Sequence, residues 1–534
     1  MSAATTADAA GVPEAPRRAD PLPRSAAGLG GPWVMTTIVS IATFMEILDT
    51  SIANVALDTI SGNLGVAVDQ GTWTVTSYLV ANAIIIPISG FLSAVLGRKR
   101  YFLISIVLFT VSSFACAFAP SLGALVLARV FQGIGGGGLA PVEQSMIADS
   151  FPPAKRGQAF AAFGMVVIVA PIIGPTIGGA ITDSISWHWI FLINIPVGIL
   201  AFFATLVAVR EPELLQRERA ELFARGIRID WVGFLLLAVG LGSLLIMLDR
   251  GQTENWFSSD LIVTTAIMAF LGLGGMVVWE LNHDDPIVPL RMLAYRNFAI
   301  CALLMLLLGL LVFGTIQLVP QMLQGVFGYD AYDAGLALTY GGWSAAIMMP
   351  LSGFVTGRVD TRVLLVPAFG LAGLSFYLLS VFSTQSTFAD AAMARFVLSC
   401  GLPFLFIPIS TVAYLGIPPG YASRASAMLN FFRNLGGAFG ISLCQTLLAQ
   451  REQFHQSRLV EGLSGLNPTF SGALHSLTAQ VGSQTEAMAL LYQQVQTQAA
   501  MLSYNETFRL LAWMIVAVIP LVLVLKVRSD GAGG

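Results

Sequence analysis

Residues 128–144 read ARVFQGIGGGGLAPVEQ, and this stretch divides two fold classes. Gly133-Ile-Gly135-Gly136-Gly137-Gly138 is a literal match to G-x-G-x-x-G, which cradles a dinucleotide when it closes a strand and opens a helix. Here the match follows an arginine inside an apolar run, and no strand signal precedes it. A nucleotide-using oxidoreductase needs a soluble βαβ region, and no polar segment of the chain is long enough to hold one. The other reading is a helix stripped of side chains so that neighbouring helices approach closely, loosened by about 1 kcal/mol for each glycine relative to alanine.

Composition favours the second reading. Only 11% of the 534 residues are charged, against about 25% in soluble domains, and the mean hydropathy is +0.77. Apolar runs of membrane-crossing length recur near 33–57, 73–96, 101–119, 121–146, 157–181, 188–209, 231–249 and 260–281. Six more lie near 298–323, 333–356, 362–382, 390–415, 424–449 and 506–527. Fourteen crossings put both termini on one side.

Placement of charge tests that count. With the N-terminus inside, inner segments hold 20 of the 27 lysines and arginines, outer segments hold Arg250, Arg451 and Arg458, and Arg129, Arg395, Arg433 and Arg509 fall within spans. This asymmetry fixes the orientation by the positive-inside rule. The four cysteines sit in apolar runs at unrelated spacings, and no two of the four histidines share metal-ligand spacing. Neither a disulfide framework nor a metal site is expected. No G-x-x-x-x-G-K-[ST] occurs, so ATP does not drive the protein, and no cofactor or nucleic acid is expected.

The domain reading is a disordered cytoplasmic tail over 1–31, a six-helix half over 32–210, and a basic inner segment with two inserted helices over 211–297. A second six-helix half follows over 298–527, with a short cytoplasmic tail at 528–534. Two turns support the halves: GFLSAVLGRKRYFL (90–103) after the second span and GFVTGRVDTRVLL (353–365) after the tenth. The outer segment 450–505 is long and Gln- and Ser-rich, and EAMALLYQQVQTQAAML within it reads as an amphipathic helix.

Ionisable groups inside spans are costly, roughly 2.5–3.5 kcal/mol each at mid-membrane, and are paired or cavity-facing. Glu46 and Asp49 in FMEILDTSIANVAL share a helical face, with Asn54 further out. Arg129 lies eight residues into span 4, about 12 Å deep by helical rise, and Asp49 reaches a similar depth. A charge pair is permitted, and it is either a static structural pair or a proton-coupling one. Glu143 is a further candidate carboxylate. Tyr78, Asn82 and Gln132 are polar residues of the same spans. In the second half Gln317, Gln321 and Gln324 form one stripe and Asn430, Arg433 and Asn434 another. Such stripes line a cavity or bond helix to helix. Span 5, VIVAPIIGPTIGGAITD, gains a bend and a flat face from Pro171, Gly174, Pro175, Gly178 and Gly179.

Through these residues the chain resembles the major facilitator superfamily, in its 14-helix drug:proton antiporter family of the EmrB/QacA type. The segments that carry the likeness are LDTSIANVAL (48–57), LARVFQGIGGGG (127–138), APIIGPTIGGAITD (170–183), WHWIFLINIPVG (187–198), LDRGQTENWFSS (248–259) and RNLGGAFG (433–440). The resemblance implies an all-α integral membrane protein with the major facilitator fold, two six-helix halves plus two extra central helices. It implies that Asp49 and Arg129 couple protons, with Glu46 and Glu143 as further candidates, and that Gly174, Pro175, Gly178 and Gly179 form the antiporter motif. Gly90, Gly97, Arg98 and Lys99 match the inner-turn motif. Ala94 and Val95 stand where the family carries Asp then Arg, so the acidic half of the inner latch is expected to be missing.

The function so implied is proton-driven export of amphipathic toxic compounds across a bacterial inner membrane by alternating access. Its expected partners are small-molecule amphipathic substrates, protons, the lipid bilayer, a periplasmic adaptor (a membrane fusion protein, EmrA-like) and a TolC-like outer-membrane channel. A dedicated exporter of one metabolite, such as a fatty acid or siderophore, is the alternative.

Overall fold

The computed structural model describes residues 31–211, 216, 219, 230–283, 286–329, 331–417, 421–461, 463 and 468–525. Of the tail expected at 1–31 only Gly31 is described, at the start of a helix, and the tail expected at 528–534 and most of the basic segment after 211 lie outside the described residues. Among the described residues the chain is helical, without a β-sheet. Lipid offers no partner for backbone amides and carbonyls, so an apolar chain satisfies them within helices.

The first half comprises α1 (Gly31–Val55), α2 (Trp73–Leu96), α3 (Arg98–Ala117), α4 (Leu122–Gly136), α5 (Leu139–Ser150), α6 (Pro153–Ser184) and α7 (Asn194–Ala208). The inserted pair is α8 (Trp231–Arg250) and α9 (Asp260–Asn282). The second half comprises α10 (Arg296–Gly325), α11 (Ala331–Val355), α12 (Thr361–Leu379), α13 (Phe388–Ala413), α14 (Ala422–Glu461), α15 (Pro468–Val481) and α16 (Gln484–Leu523). With α4 and α5 forming one crossing, a helical segment stands at each of the fourteen expected spans. Eleven are long and apolar enough to cross a membrane, and a twelfth is α6, bent by 41° between Lys155–Pro171 and Ile173–Thr182. Pro171 and Pro175 remove backbone donors around this bend, the usual cause of a sharp kink. The remaining two, α11 and α14, are more polar.

The glycine run is where span 4 breaks. α4 ends at Gly136, Gly137 and Gly138 turn, and α5 begins at Leu139. Each glycine admits a neighbour. A Cβ on Gly135 would stand 2.6 Å from the Phe109 amide of α3, and one on Gly137 would stand 2.6 Å from the Asn82 carbonyl of α2. The expectation of close helix approach holds, and the dinucleotide reading falls.

α14 and α16 each run for 40 residues, about 60 Å by helical rise, twice the hydrocarbon core. The amphipathic stretch of 486–502 is therefore the first part of one helix that continues into the last crossing. With α15 these extensions form a projecting hairpin away from the basic turns. Gln456 donates to the Tyr492 hydroxyl (2.9 Å), Arg451 pairs with Glu506 (3.2 Å), and Phe470, Ala487 and Leu491 make its small buried core.

The two halves meet along α6 with α11 and α13, and along α2 and α5 with α14. Near the basic turns this seam is shut. Gly157 and Gly353 bring α6 and α11 into backbone contact, a Cβ on Gly353 falling 2.9 Å from the Gly157 carbonyl. Gly90 likewise sets α2 against Arg424, at 2.9 Å from a Cβ to its Cα. Asn430 Nδ2 donates to Gln144 Oε1 (2.8 Å), and Ser426 donates to the Pro141 carbonyl. The inserted α8 covers the outer side of the α2–α14 contact: Leu237, Leu241 and Leu245 pack with Val80 and Ile84 of α2 and with Phe431 and Leu435 of α14. Thr76 also donates to Asp249 at its end (2.5 Å).

This closed seam makes a conformational prediction. A Gln144→Cys/Asn430→Cys pair is expected to cross-link readily in a variant whose four native cysteines are replaced by alanine. Adding Gly353→Leu drives α6 from α11 and lowers the cross-linked fraction severalfold, read by gel mobility. An unchanged yield contradicts the glycine contact as the closing element.

Candidate functional site

The site grows from the short polar interruptions of five apolar helices. Asp49, from the last third of α1, is 2% exposed, and Arg129 of α4 is fully buried. Arg129 Nη1 donates to Asp49 Oδ2 at 2.6 Å. The other carboxylate oxygen accepts from Gln132 Nε2 (2.9 Å) and from Asn194 Nδ2 of α7 (2.6 Å). Both amides also donate to Ser113 Oγ of α3, at 3.2 and 3.0 Å. Arg129 Nη1 additionally donates to Gln132 Oε1 (2.8 Å), and its Nε donates to the Thr74 carbonyl of α2 (3.0 Å). The Tyr78 ring lies under the guanidinium, 4.2 Å from its carbon to the ring centre. A cation over an aromatic face in a dry site is attracted by about 2 kcal/mol.

Removing two charges from water is costly, and a buried pair is tolerable when geometry and surrounding hydrogen bonds are good. Here α2, α3, α4 and α7 supply those bonds. The arrangement sets the Asp49 carboxylate directly against the Arg129 guanidinium, with both side chains shielded from water.

Glu46 shares the helix face with Asp49 but turns to α2. Asn82 Nδ2 and the Tyr78 hydroxyl donate to its Oε1, at 3.1 and 3.4 Å. Tyr78 thus touches both acids' surroundings. Glu143 of α5 is fully buried and accepts from the hydroxyls of Ser40 and Thr43 on α1. It stands beside Gln144, which holds the closed seam through Asn430.

Other candidates are not brought together with this cluster. Asn54 is exposed and donates to the Thr50 carbonyl of its own helix (3.0 Å). Gln317 and Gln324 are exposed, while Gln321 accepts from Gln445 (2.8 Å) and so bonds α10 to α14. In the antiporter stretch, Gly174 lies on Ser51 and Gly178 on Ile52, a Cβ on the latter glycine falling 2.9 Å from Ile52 Cγ2. These two glycines pack α6 flat on α1 next to Asp49. Gly179 faces open space.

The expectation of an acid-free inner latch is corrected. Arg98 forms an ion pair with Asp149 at the end of α5, its amide donates to Glu211 (2.9 Å), and its Nη1 donates to the Ser145 carbonyl (3.2 Å). Lys99 donates to the Leu206 carbonyl (2.7 Å). Gly97 adopts φ +87°, which suits glycine at this turn. The missing acid is replaced by Asp149 of α5 and by Glu211 beyond the end of α7, which spacing within one motif does not reveal. Sequence reading also passed over Asn194 and Ser113, whose only signal is a polar residue in an apolar run.

A two-half helical membrane bundle with an ionised pair sealed between its helices is the architecture of a membrane transporter. The chain belongs to the Major Facilitator Superfamily, which it matches over residues 39–441. It is 40% identical over 502 residues to the multidrug export protein EmrB of Escherichia coli K12, covering 94% of this chain and 96% of that protein. It is 36% identical over 502 residues to the fatty acid resistance protein FarB of Neisseria gonorrhoeae, covering 94% and 97%. The fold is shared with the proton:xylose symporter XylE, with a TM-score of 0.55 at 16% identity over 92% of this chain and 96% of that one.

Breaking a buried pair from one side costs about 3–5 kcal/mol. Arg129→Ala is expected to lower the melting temperature in detergent strongly, and Arg129→Ala/Asp49→Asn to recover part of the loss. Equal melting of the single and double variants contradicts a pair that depends on mutual charge compensation.

Proposed function

We propose that this protein is a proton-coupled exporter of amphipathic toxic compounds, of the multidrug efflux type, acting by alternating access in a bacterial inner membrane. The observation that carries the reading is Asp49, sealed from water and held by Arg129, Gln132 and Asn194. The named activity of the E. coli relative, at 40% identity over nearly the whole chain, supports the substrate class.

In the present conformation the Arg129 cation compensates the Asp49 carboxylate. A rearrangement that draws Arg129 away leaves a buried carboxylate whose stable form is protonated. Cargo that favours one arrangement shifts the equilibrium between them and so exchanges with the proton. Gly174 and Gly178 let α6 slide on α1 beside Asp49, which couples the pair to the seam between halves. By the positive-inside orientation, the shut end is cytoplasmic, both termini are inside, and the projecting hairpin is periplasmic. Glu143 sits at the shut end as a second carboxylate that opening would reach.

The hairpin of α14, α15 and α16 is the surface proposed to meet an adaptor of the membrane fusion class leading to a TolC-like channel. Its length beyond the bilayer and its exposed Phe454, Val460 and Tyr492 support that role. A dedicated exporter of one metabolite, for example a fatty acid, is the second reading, favoured by the name of the Neisseria relative.

Two experiments test these roles. In proteoliposomes with an imposed pH gradient, Asp49→Asn is expected to abolish uphill export and cargo-triggered proton release while downhill cargo exchange persists. Uphill export by this variant contradicts the coupling role. Deleting residues 465–495 is expected to abolish adaptor capture and leave proteoliposome transport intact. Undiminished capture contradicts the hairpin as the docking surface.

A further inference from the structure

The second half holds a buried cation that the proton site does not use. Arg395 of α13 is 5% exposed, and its Nε and Nη1 find no hydrogen-bond partner among the described residues. It repeats Arg129 in register: each follows an alanine and stands eight residues after its helix cap, Ser121 for α4 and Thr387 for α13. The equivalence ends at the partner. α10, which corresponds to α1, contains no aspartate or glutamate, and Nε and Nη1 of the Arg395 guanidinium have no carboxylate partner among the described residues. A guanidinium out of water without a compensating anion is among the least tolerated groups in a membrane interior.

Its position gives the unpartnered guanidinium a use. Phe388 and Phe406 lie seven residues before and eleven after Arg395 on the same helix, which places all three within about 20° of one face. That face points to the centre of the molecule, because Phe406 stacks on Phe163 of α6 (6.0 Å between rings) and Arg433 lies over its ring at 5.8 Å. Beside Arg395, Gly341 of α11 leaves room: a Cβ there would fall 2.9 Å from Arg395 Cγ and 2.7 Å from Ser399 Oγ. About 10 Å further along α13, Phe388 meets the rings of Tyr329 and Tyr340 edge-on, each at 6.1 Å. A cation set below an aromatic cluster matches a molecule with an anionic head and an apolar ring or chain.

We propose that Arg395 is the anion-binding point of the path between the halves, taking the head group of an amphipathic monoanion. The inference rests on the export reading and adds to it a charge preference located in the second half, apart from the proton-binding acids of the first. The negative charge is a cargo head group rather than an inorganic anion such as chloride.

The test uses two matched probes, 2-naphthalenesulfonate and trimethyl-2-naphthylammonium, whose charges do not change with pH. Equilibrium dialysis measures binding to the purified full chain, and cargo-triggered proton release is recorded in proteoliposomes. Arg395→Gln is expected to weaken sulfonate binding about tenfold or more, the effect of losing a hydrogen bond to a charged group. Arg395→Lys retains most of the affinity, and binding of the ammonium probe changes less than twofold, which also reports correct folding. Equal weakening of both probes, or of neither, overturns the proposal. So does a variant that loses chloride-dependent thermal stabilisation while binding the sulfonate as wild type does. Arg395-dependent sulfonate binding without proton release by any probe overturns the export reading and leaves the anion site standing.

Discussion

The buried pair of Asp49 and Arg129 is the constraint around which the first half is built. Four helices contribute to it: α1 gives the acid, α4 the arginine and Gln132, α7 Asn194 and α3 Ser113. A fifth, α2, places Tyr78 beneath the guanidinium and its Thr74 carbonyl on Nε. In a membrane the helices gain little from the hydrophobic effect when they associate, so packing and such polar bonds decide which helices meet. The pair therefore orders a five-helix group.

Glycine sets the other half of the account. Close backbone approach at Gly157 with Gly353 and at Gly90 with Arg424 shuts one end of the seam between halves, and Gln144, Ser426 and Asn430 bond across it. Beside these glycine contacts the seam also holds ring stacks, Phe160 on Tyr414 and Phe163 on Phe406. The inserted α8 covers one side of the junction. Glu143 and Glu46 lie near the seam with partners that are hydroxyls and amides rather than cations at hydrogen-bond distance.

Much of this was legible in the sequence. The apolar runs and the charge asymmetry gave the helical class, and matching depths of Asp49 and Arg129 allowed their pairing. The glycine run resolved by elimination, since a phosphate cradle needs a strand before it. What remained hidden depends on contacts between distant segments. The latch formed by Arg98 with Asp149 and Glu211 joins residues about 50 and 110 positions apart, so the missing acid at Ala94 read as a loss. Asn194 and Ser113 look like isolated polar residues until α3 and α7 are brought beside α1. The stripe of Gln317, Gln321 and Gln324 divides, because the helix face that periodicity assigns to them is shared between open space and α14.

The central claim is that Asp49 exchanges a proton when cargo changes the arrangement around Arg129. Cargo-induced infrared difference spectroscopy of the protein in a lipid film observes the carboxylic acid C=O stretch directly. The account predicts a cargo-dependent acid band that persists in Glu46→Gln and Glu143→Gln and vanishes in Asp49→Asn. A band that survives in Asp49→Asn, or is lost only with Glu46 or Glu143, contradicts it.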